Sequence, residues 1–278
     1  MLSFVPTPIG NLDDITVRSL KVLGAARTIF CEDTRVTRKL LTLLSERHGL
    51  VISEPKFISL HAHNEGYLLK NLDPAIFNEP AVYLSDAGMP GISDPGAALV
   101  RYCLAHDIAF EVLPGPSALL PAFVMAGFEE HRFVFGGFLP HKGKERAKQL
   151  DELLEMGLPL VLYEAPHRIE QLALELAQKV PHREVVLVKE LTKFHEQRFS
   201  LKAEELPQFL KGGISFKGEW VVIINGGTTK GKLVLDRQMI DELQLPPKQK
   251  AKLIAQLEGR SIKECYNSLA QATSAVER

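Results

Sequence analysis

The sequence predicts an α/β protein built on a mainly parallel sheet, and three observations lead there. Short apolar runs alternate with stretches of helical periodicity for most of the chain, a pattern that places consecutive strands side by side with helices crossing between them. Glycine and proline crowd at the points where an apolar run gives way to a helix, the position at which α/β sheets hold small polar ligands. No apolar stretch is long enough to span a bilayer, since even Ala118 to Phe128 is short and is interrupted by Pro121.

Leu2 to Val5 and Thr28 to Cys31 read as buried strands, with helices over Asp14 to Leu23, anchored by Ile15, Leu20 and Leu23, and over Val36 to Leu44. Ala81 to Leu84 is a further strand, followed by a helix over Ala97 to His106 and a strand over Ala109 to Leu113. Phe133 to Gly143 breaks this rhythm. A charged helix then covers Lys144 to Glu155, and residues 158–164, 184–190 and 219–225 supply a second set of strands. The length of 278 residues suits about two domains. The boundary falls at residues 116 to 120, giving domains 1–117 and 118–230.

The tail differs from the body. Pro246-Pro247 introduces a helix over Lys248 to Leu257, Gly259 stops it, and Ser261 with Glu264 forms a capping box for a last helix running to about Ala272. Residues 243–278 thus read as a helix-turn-helix-like unit. They carry six Lys/Arg against three Glu, a local charge of +3, which fits either an RNA contact or an ordinary docked hairpin.

Composition is that of an ordinary globular protein, 45% hydrophobic and 24% charged. With 33 Lys+Arg against 34 Asp+Glu, bulk electrostatic coating of nucleic acid is excluded and only a local basic face is open. The opening MLSFVPTPIGN lacks a basic segment before its apolar residues, so a cytoplasmic location without membrane contact is expected. Cys31, Cys103 and Cys265 are widely separated and suggest neither disulfides nor a zinc site.

The densest punctuation is SDAGMPGISDPG, Ser85 to Gly96. Gly88, Gly91 and Gly96 allow positive φ or close approach to a ligand, and Pro90 and Pro95 stiffen the path. A second tight turn, Pro114-Gly115-Pro116-Ser117, ends the next strand, so the two loops are expected to share one pocket. No dinucleotide-binding glycine fingerprint follows the first strand. GGTTKGK, from Gly226, matches a phosphate-binding loop only up to its lysine, because Leu233 stands at the magnesium-ligating position, and it reads as a linker.

Nine segments then stand in order: VPTPIGNLDDITVRSL, CEDTRVTRKLL (31–41), HAHNE (61–65), SDAGMPGISDPG, LPGPSALL (113–120), GGFLPHKG (136–143), YEAPHR (163–168), KELTKFHE (189–196) and GEWVVIING (218–226). Together they resemble the small-subunit ribosomal RNA methyltransferase I family of cytidine 2′-O-methyltransferases, within the tetrapyrrole methylase superfamily. The resemblance covers about residues 1–226, and the tail is similar to that family's C-terminal helix-turn-helix. It implies a two-domain tetrapyrrole-methylase-like α/β fold with a mixed second sheet. It also implies a homodimer, S-adenosylmethionine as cofactor, and small-subunit rRNA or the 30S subunit as partner. Two other readings stay open: a tetrapyrrole methylase acting on a small molecule, and a non-catalytic RNA-binding assembly module.

The resemblance also implies the site. For the cofactor it points to Ile9, to Asp86, Ala87, Gly88, Met89, Pro90, Gly91 and Ile92, to Gly115, Pro116, Ser117 and Ala118, and to Leu162 and Tyr163. Asp86 and Asp94 could equally serve as turn caps. On the RNA side stand Arg35, Arg38, Lys39 and Arg168, with Lys248 and Lys252 of the tail, although Asp33 or Thr34 could simply cap the helix that the first three begin. Candidates for orienting the ribose or taking its proton are Arg35, His63, Lys189 and Glu190. His61 and His63 would face one side together on a strand, and Lys189 and Glu190 could be a plain ion pair. In-line methyl transfer requires no metal.

Overall fold

The computed structural model describes residues 1–93, 95–227, 237–243 and 245–276. Met1–Gly227 form one compact unit and Thr228–Arg278 another. Asp94 and the greater part of the GGTTKGK segment lie outside the described residues, as do Glu277 and Arg278.

The first unit opens with β1 (Leu2–Val5), α1 (Val17–Ala25), β2 (Thr28–Cys31), α2 (Thr34–His48), β3 (Lys56–Ser59), α3 (Glu65–Lys70), β4 (Ala81–Leu84), α4 (Ala97–Ala105) and β5 (Phe110–Val112). The five strands lie in the order β3-β2-β4-β1-β5, and every pairing is parallel. Helices cover both faces, so β1, β2 and β4 are buried along their whole length. Val5, Ile29, Cys31, Val82 and Leu84 point to the side of α1 and α2, and Leu2, Phe4, Phe30, Ala81 and Tyr83 to the other.

Helix starts follow capping chemistry. Thr16 caps α1 and Asp33 caps α2, each accepting from a backbone N–H of the first turn. The first helix therefore begins three residues after the expected Asp14. Leu12–Asp14 form a separate 3-10 turn, capped by Asn11, that buries Ile15 at its exit. The first four residues of HAHNE make a turn rather than strand, and Glu65 opens α3. The Asn64 side chain accepts from His61 N at 2.8 Å and donates to Ser59 O at 2.9 Å, closing the backbone before the residues can alternate.

The second half runs α5 (Leu119–Ala126), β6 (Val134–Phe138), α6 (Gly143–Glu155), β7 (Leu160–Glu164), α7 (Ile169–Lys179), β8 (Glu184–Lys189), β9 (Gln197–Lys202), α8 (Leu206–Lys211) and β10 (Trp220–Ile224). Its sheet has the order β6-β7-β10-β8-β9 and is mixed, with β6 parallel to β7 and the other pairs antiparallel. The segment that breaks the sequence rhythm supplies edge strand β6, and the polar β9 is the other edge. Leu160, Leu162, Leu187, Val222 and Ile224 pack toward α6, α7 and α8. Val161, Val186, Val188, Val221 and Ile223 pack on the opposite face with α5, Ile9 and Tyr163.

The second unit contains α9 (Arg237–Glu242), α10 (Pro247–Glu258) and α11 (Ile262–Val276) around Ile240, Ala251, Ile254 and Cys265. Gly259 terminates α10 at φ 65°, and Ser261 and Glu264 exchange the two hydrogen bonds of a capping box at 3.3 Å. Among the described residues no helix is long and apolar enough to cross a membrane.

Candidate functional site

The loops that follow the C-terminal ends of β1, β2, β4 and β5 converge on one cleft of about 460 Å3, whose far wall comes from the second sheet. Local chemistry brings the Gly-rich loop there. Thr7 and Gly88 exchange two backbone hydrogen bonds at 3.0 Å, and Thr7 and Ser85 hydroxyls tie down the carbonyls of Ser85 and Gly88. Asp86 accepts from Asp33 N at 3.2 Å, which joins the loop after β4 to the one after β2. The β1 loop in turn meets the loop after β8, where Asn11 N donates to Thr192 Oγ1 and a Cβ on Gly10 would stand 2.4 Å from Lys193 Cγ.

Of the residues expected to hold a cofactor, Ile9, Asp86, Ala87, Gly88, Met89, Ile92, Ser117, Ala118 and Tyr163 line this cleft. Pro90, Gly91, Gly115, Pro116 and Leu162 do not. Gly91 is required by its backbone, at φ +80°, and its Cβ position is open enough for a methyl group. Gly115 serves a close approach, because a Cβ there would lie 2.9 Å from Pro6 Cβ. The Leu162 side chain belongs to the opposite face of its strand and is fully buried in the core under α6 and α7, so it offers no apolar wall to the cleft.

Sequence reasoning missed part of the lining: Glu32, Ser93, Phe138, Glu164, Ala165, Pro166, Leu191, Glu219, Trp220 and Val221. Most of these stand in the quoted motifs. What no motif announces is that the cleft's charged lining residues, Glu32, Asp86, Glu164 and Glu219, are all carboxylates. Burial is the main cause raising the Asp86 carboxyl above its usual value; the Asp33 N–H opposes this and the Asp33 charge adds to it. Glu164 is paired with Arg146 and Glu219 with Lys193; apolar walls with an acid such as Asp86 suit a small organic cation.

Glu164 is held from behind. Its carboxylate accepts from Arg146 Nη2 at 3.0 Å and from its neighbour Ala165 N at 2.9 Å, and Arg168 Nε lies 2.8 Å away, off the hydrogen-bonding direction. Arg146, 1% exposed, also binds Glu175 and the Pro140 carbonyl, while Arg168 Nη1 donates to Leu139 O. The network clamps GGFLPHKG onto YEAPHR. It also engages Arg168, one of the residues expected on the RNA side, internally.

The other expected residues divide by place. Arg35 is exposed at the start of α2 and makes a two-pronged pair with Asp33, whose carboxyl it holds down at about 2. Arg38 lies over the Phe57 ring at 3.9 Å, and Lys39 is exposed. His63 is exposed on the turn after β3, its ring 6.0 Å from that of His61; that turn is tied to the β2 loop by Ser59 Oγ donating to Glu32 O. Lys189 and Glu190 stand outside the cleft. Lys189 Nζ donates to Ser215 O at 2.6 Å, and Glu190 accepts from Lys193 and from Glu219 N. Lys248 and Lys252 are exposed one turn apart on α10.

A two-sheet α/β chain with a ligand cleft beyond the carboxyl ends of its parallel strands is the architecture of one class of methylases, and residues 1–207 match the tetrapyrrole (corrin/porphyrin) methylase family. The chain belongs to that family. It is 44% identical over 270 residues to ribosomal RNA small subunit methyltransferase I of Campylobacter fetus, covering 97% of this chain and 99% of the relative. To the protein of the same name from Helicobacter pylori strain J99 it is 41% identical over 281 residues, 96% of each chain. A solved uroporphyrin-III C-methyltransferase of Thermus thermophilus, complexed with S-adenosylhomocysteine, shares the fold at a TM-score of 0.55 and 19% identity, covering 81% of this chain and 96% of its own.

Proposed function

We propose that this chain transfers the methyl group of S-adenosylmethionine to the 2′-oxygen of a cytidine in the decoding region of small-subunit ribosomal RNA. The observation that carries the cofactor is the acidic, apolar-walled cleft. The relatives matched over nearly the full chain carry the substrate class, whereas the porphyrinoid methylase covers 81% of it, which favours RNA over a small-molecule acceptor.

When bound, the cofactor supplies a methyl group on a sulfonium centre. Carboxylates of Asp86 and Glu32 would face that cation, Ser117 and the Gly-rich backbone would hydrogen-bond its aminoacyl end, and Ile9, Met89 and Tyr163 would enclose the nucleoside and exclude water. Positioning supplies most of the rate in such a displacement. Arg35 in the first turn of α2 and His63 on the turn after β3 are proposed to orient the ribose or help remove its proton; Lys189 and Glu190 stand second, since they line a different groove from the cleft. Burial raises the Cys31 thiol, so it stays protonated and offers no nucleophile for attack on a pyrimidine.

The domain division at residues 116 to 120 and a cytoplasmic location belong to the same proposal. So does a homodimer, supported by α5, an apolar helix that leaves Leu120 56% and Val124 76% exposed. Incubating the protein with labelled cofactor and under-methylated small subunits tests the reaction. Label is expected in one ribose, at a linkage that resists alkali because a blocked 2′-oxygen cannot attack the adjoining phosphate. Label on a base, or an alkali-labile linkage, overturns the assignment.

A further inference from the structure

Beyond β8 the chain makes two left-handed turns, at Glu190 (φ 53°) and Thr192 (φ 65°), and then presents Phe194 with 96% of its surface exposed. The His195 ring stands nearly perpendicular to it, with centroids 5.0 Å apart. Both rings border a groove of about 760 Å3 that also takes in Lys189 and Lys217. This groove adjoins the cofactor cleft: Lys189 and Glu190 line the groove where the next residue, Leu191, lines the cleft, and Gly218 lines the groove where Glu219 lines the cleft.

The groove holds Lys189, Lys217 and His195; Lys189 Nζ is spent on Ser215 O, and the groove's acids are engaged, Glu190 by Lys193 and Glu196 by the Thr192 N–H. Lys217 is exposed and has no ion-pair partner among the described residues. An open aromatic face and an unpaired ammonium on one groove are the elements with which proteins hold single-stranded nucleic acid, the ring stacking on a base and the cation meeting a phosphate.

We infer that Phe194 and His195 form a stacking ledge for an unpaired RNA base flanking the methylated nucleotide, with Lys217 against the adjoining phosphate; the inference rests on the rRNA substrate proposed above. The test measures binding of under-methylated small subunits by the full-length Phe194→Ala, Phe194→Leu, Phe194→Trp and Lys217→Gln proteins, alongside cofactor affinity by calorimetry and oligomeric state by sedimentation. Loss of one stacked base weakens binding about tenfold in the Ala and Leu variants, while Trp retains it and cofactor affinity is unchanged. Lys217→Gln lowers the slope of log affinity against log salt by about 0.7. Equal RNA affinity in all Phe194 variants overturns the ledge, as does a Leu variant that binds like the parent, which indicates packing rather than stacking. A shift toward monomer that accompanies the loss overturns it in favour of a second copy of the chain. Parent protein that binds small subunits but transfers no methyl group to them overturns the proposed reaction and leaves the ledge standing.

Discussion

Asp86, proposed to face the cofactor, sits where burial opposes its charge. Its carboxyl is raised mainly by burial, so the folded chain holds that proton more tightly than the unfolded chain does, and ionised Asp86 is destabilising at neutral pH. Asp86→Asn is therefore expected to leave the thermal midpoint of the cofactor-free protein unchanged or higher. The same change lowers cofactor affinity by about tenfold, because a charged hydrogen-bonding partner is lost. Acidification has the same sign: affinity in the parent declines at a higher pH than an ordinary aspartate with a value of 3.8 would give, and the decline is absent from the Asn variant. Calorimetry across a pH series checks both statements, and an Asn variant with parental affinity removes Asp86 from the site. Arg35 and Asp33 next door show the opposite case, a carboxyl held at about 2 by its exposed arginine and set by local chemistry alone.

Among the elements, the β7–α7 junction adds a buried ion-pair network to its apolar packing. Arg146 reaches from α6 to Glu164 at the end of β7 and to Glu175 on α7, and both members of the Arg146–Glu164 pair are almost completely buried. Removing Arg146 leaves the buried Glu164 with Arg168 as its one cation and takes the arginine from Glu175, in a poor solvent for ions. Arg146→Met is accordingly expected to cost about 3 kcal/mol, read as a lower urea midpoint with an unchanged slope. Cofactor affinity falls with it, because Phe138, Ala165 and Pro166 of the cleft wall flank the residues this network clamps. A variant as stable as the parent would show that the apolar core under α6 and α7 holds the junction without the ion pairs. The motif GGFLPHKG was visible in the sequence, yet its partner was not, since Arg146 and Glu164 are 18 residues apart and nothing local links them.

At the scale of the whole molecule, the tail is a compact unit with its own small core, and its exposed Lys248 and Lys252 repeat at one-turn spacing. Removing residues 243–278 is expected to weaken small-subunit binding and to reduce its salt slope by about 2, the share of two lost phosphate contacts, while cofactor affinity holds. Filter binding over a salt series measures this. A truncated protein that becomes monomeric yet binds RNA as tightly per dimer assigns the tail to dimerisation instead.

The sequence by itself determined the strand-and-helix alternation of the first sheet, the capping box of the tail and the meeting of the loops at Asp86 and Ser117. Each of those rests on short-range rules: burial on both faces of a parallel strand, a side chain closing a helix start, and glycine and proline at a strand's end. Nine ordered motifs determined the family. Only the tertiary structure decided that Leu162 faces the core while Tyr163 faces the cleft, and that Arg168 turns inward. It alone decided that Lys189 and Glu190 open onto a different groove from the one Leu191 lines. These outcomes depend on which face of a strand meets which neighbour and on pairs of charges brought together from distant elements, and a strand's period of two cannot name its inner face until its partners are in place.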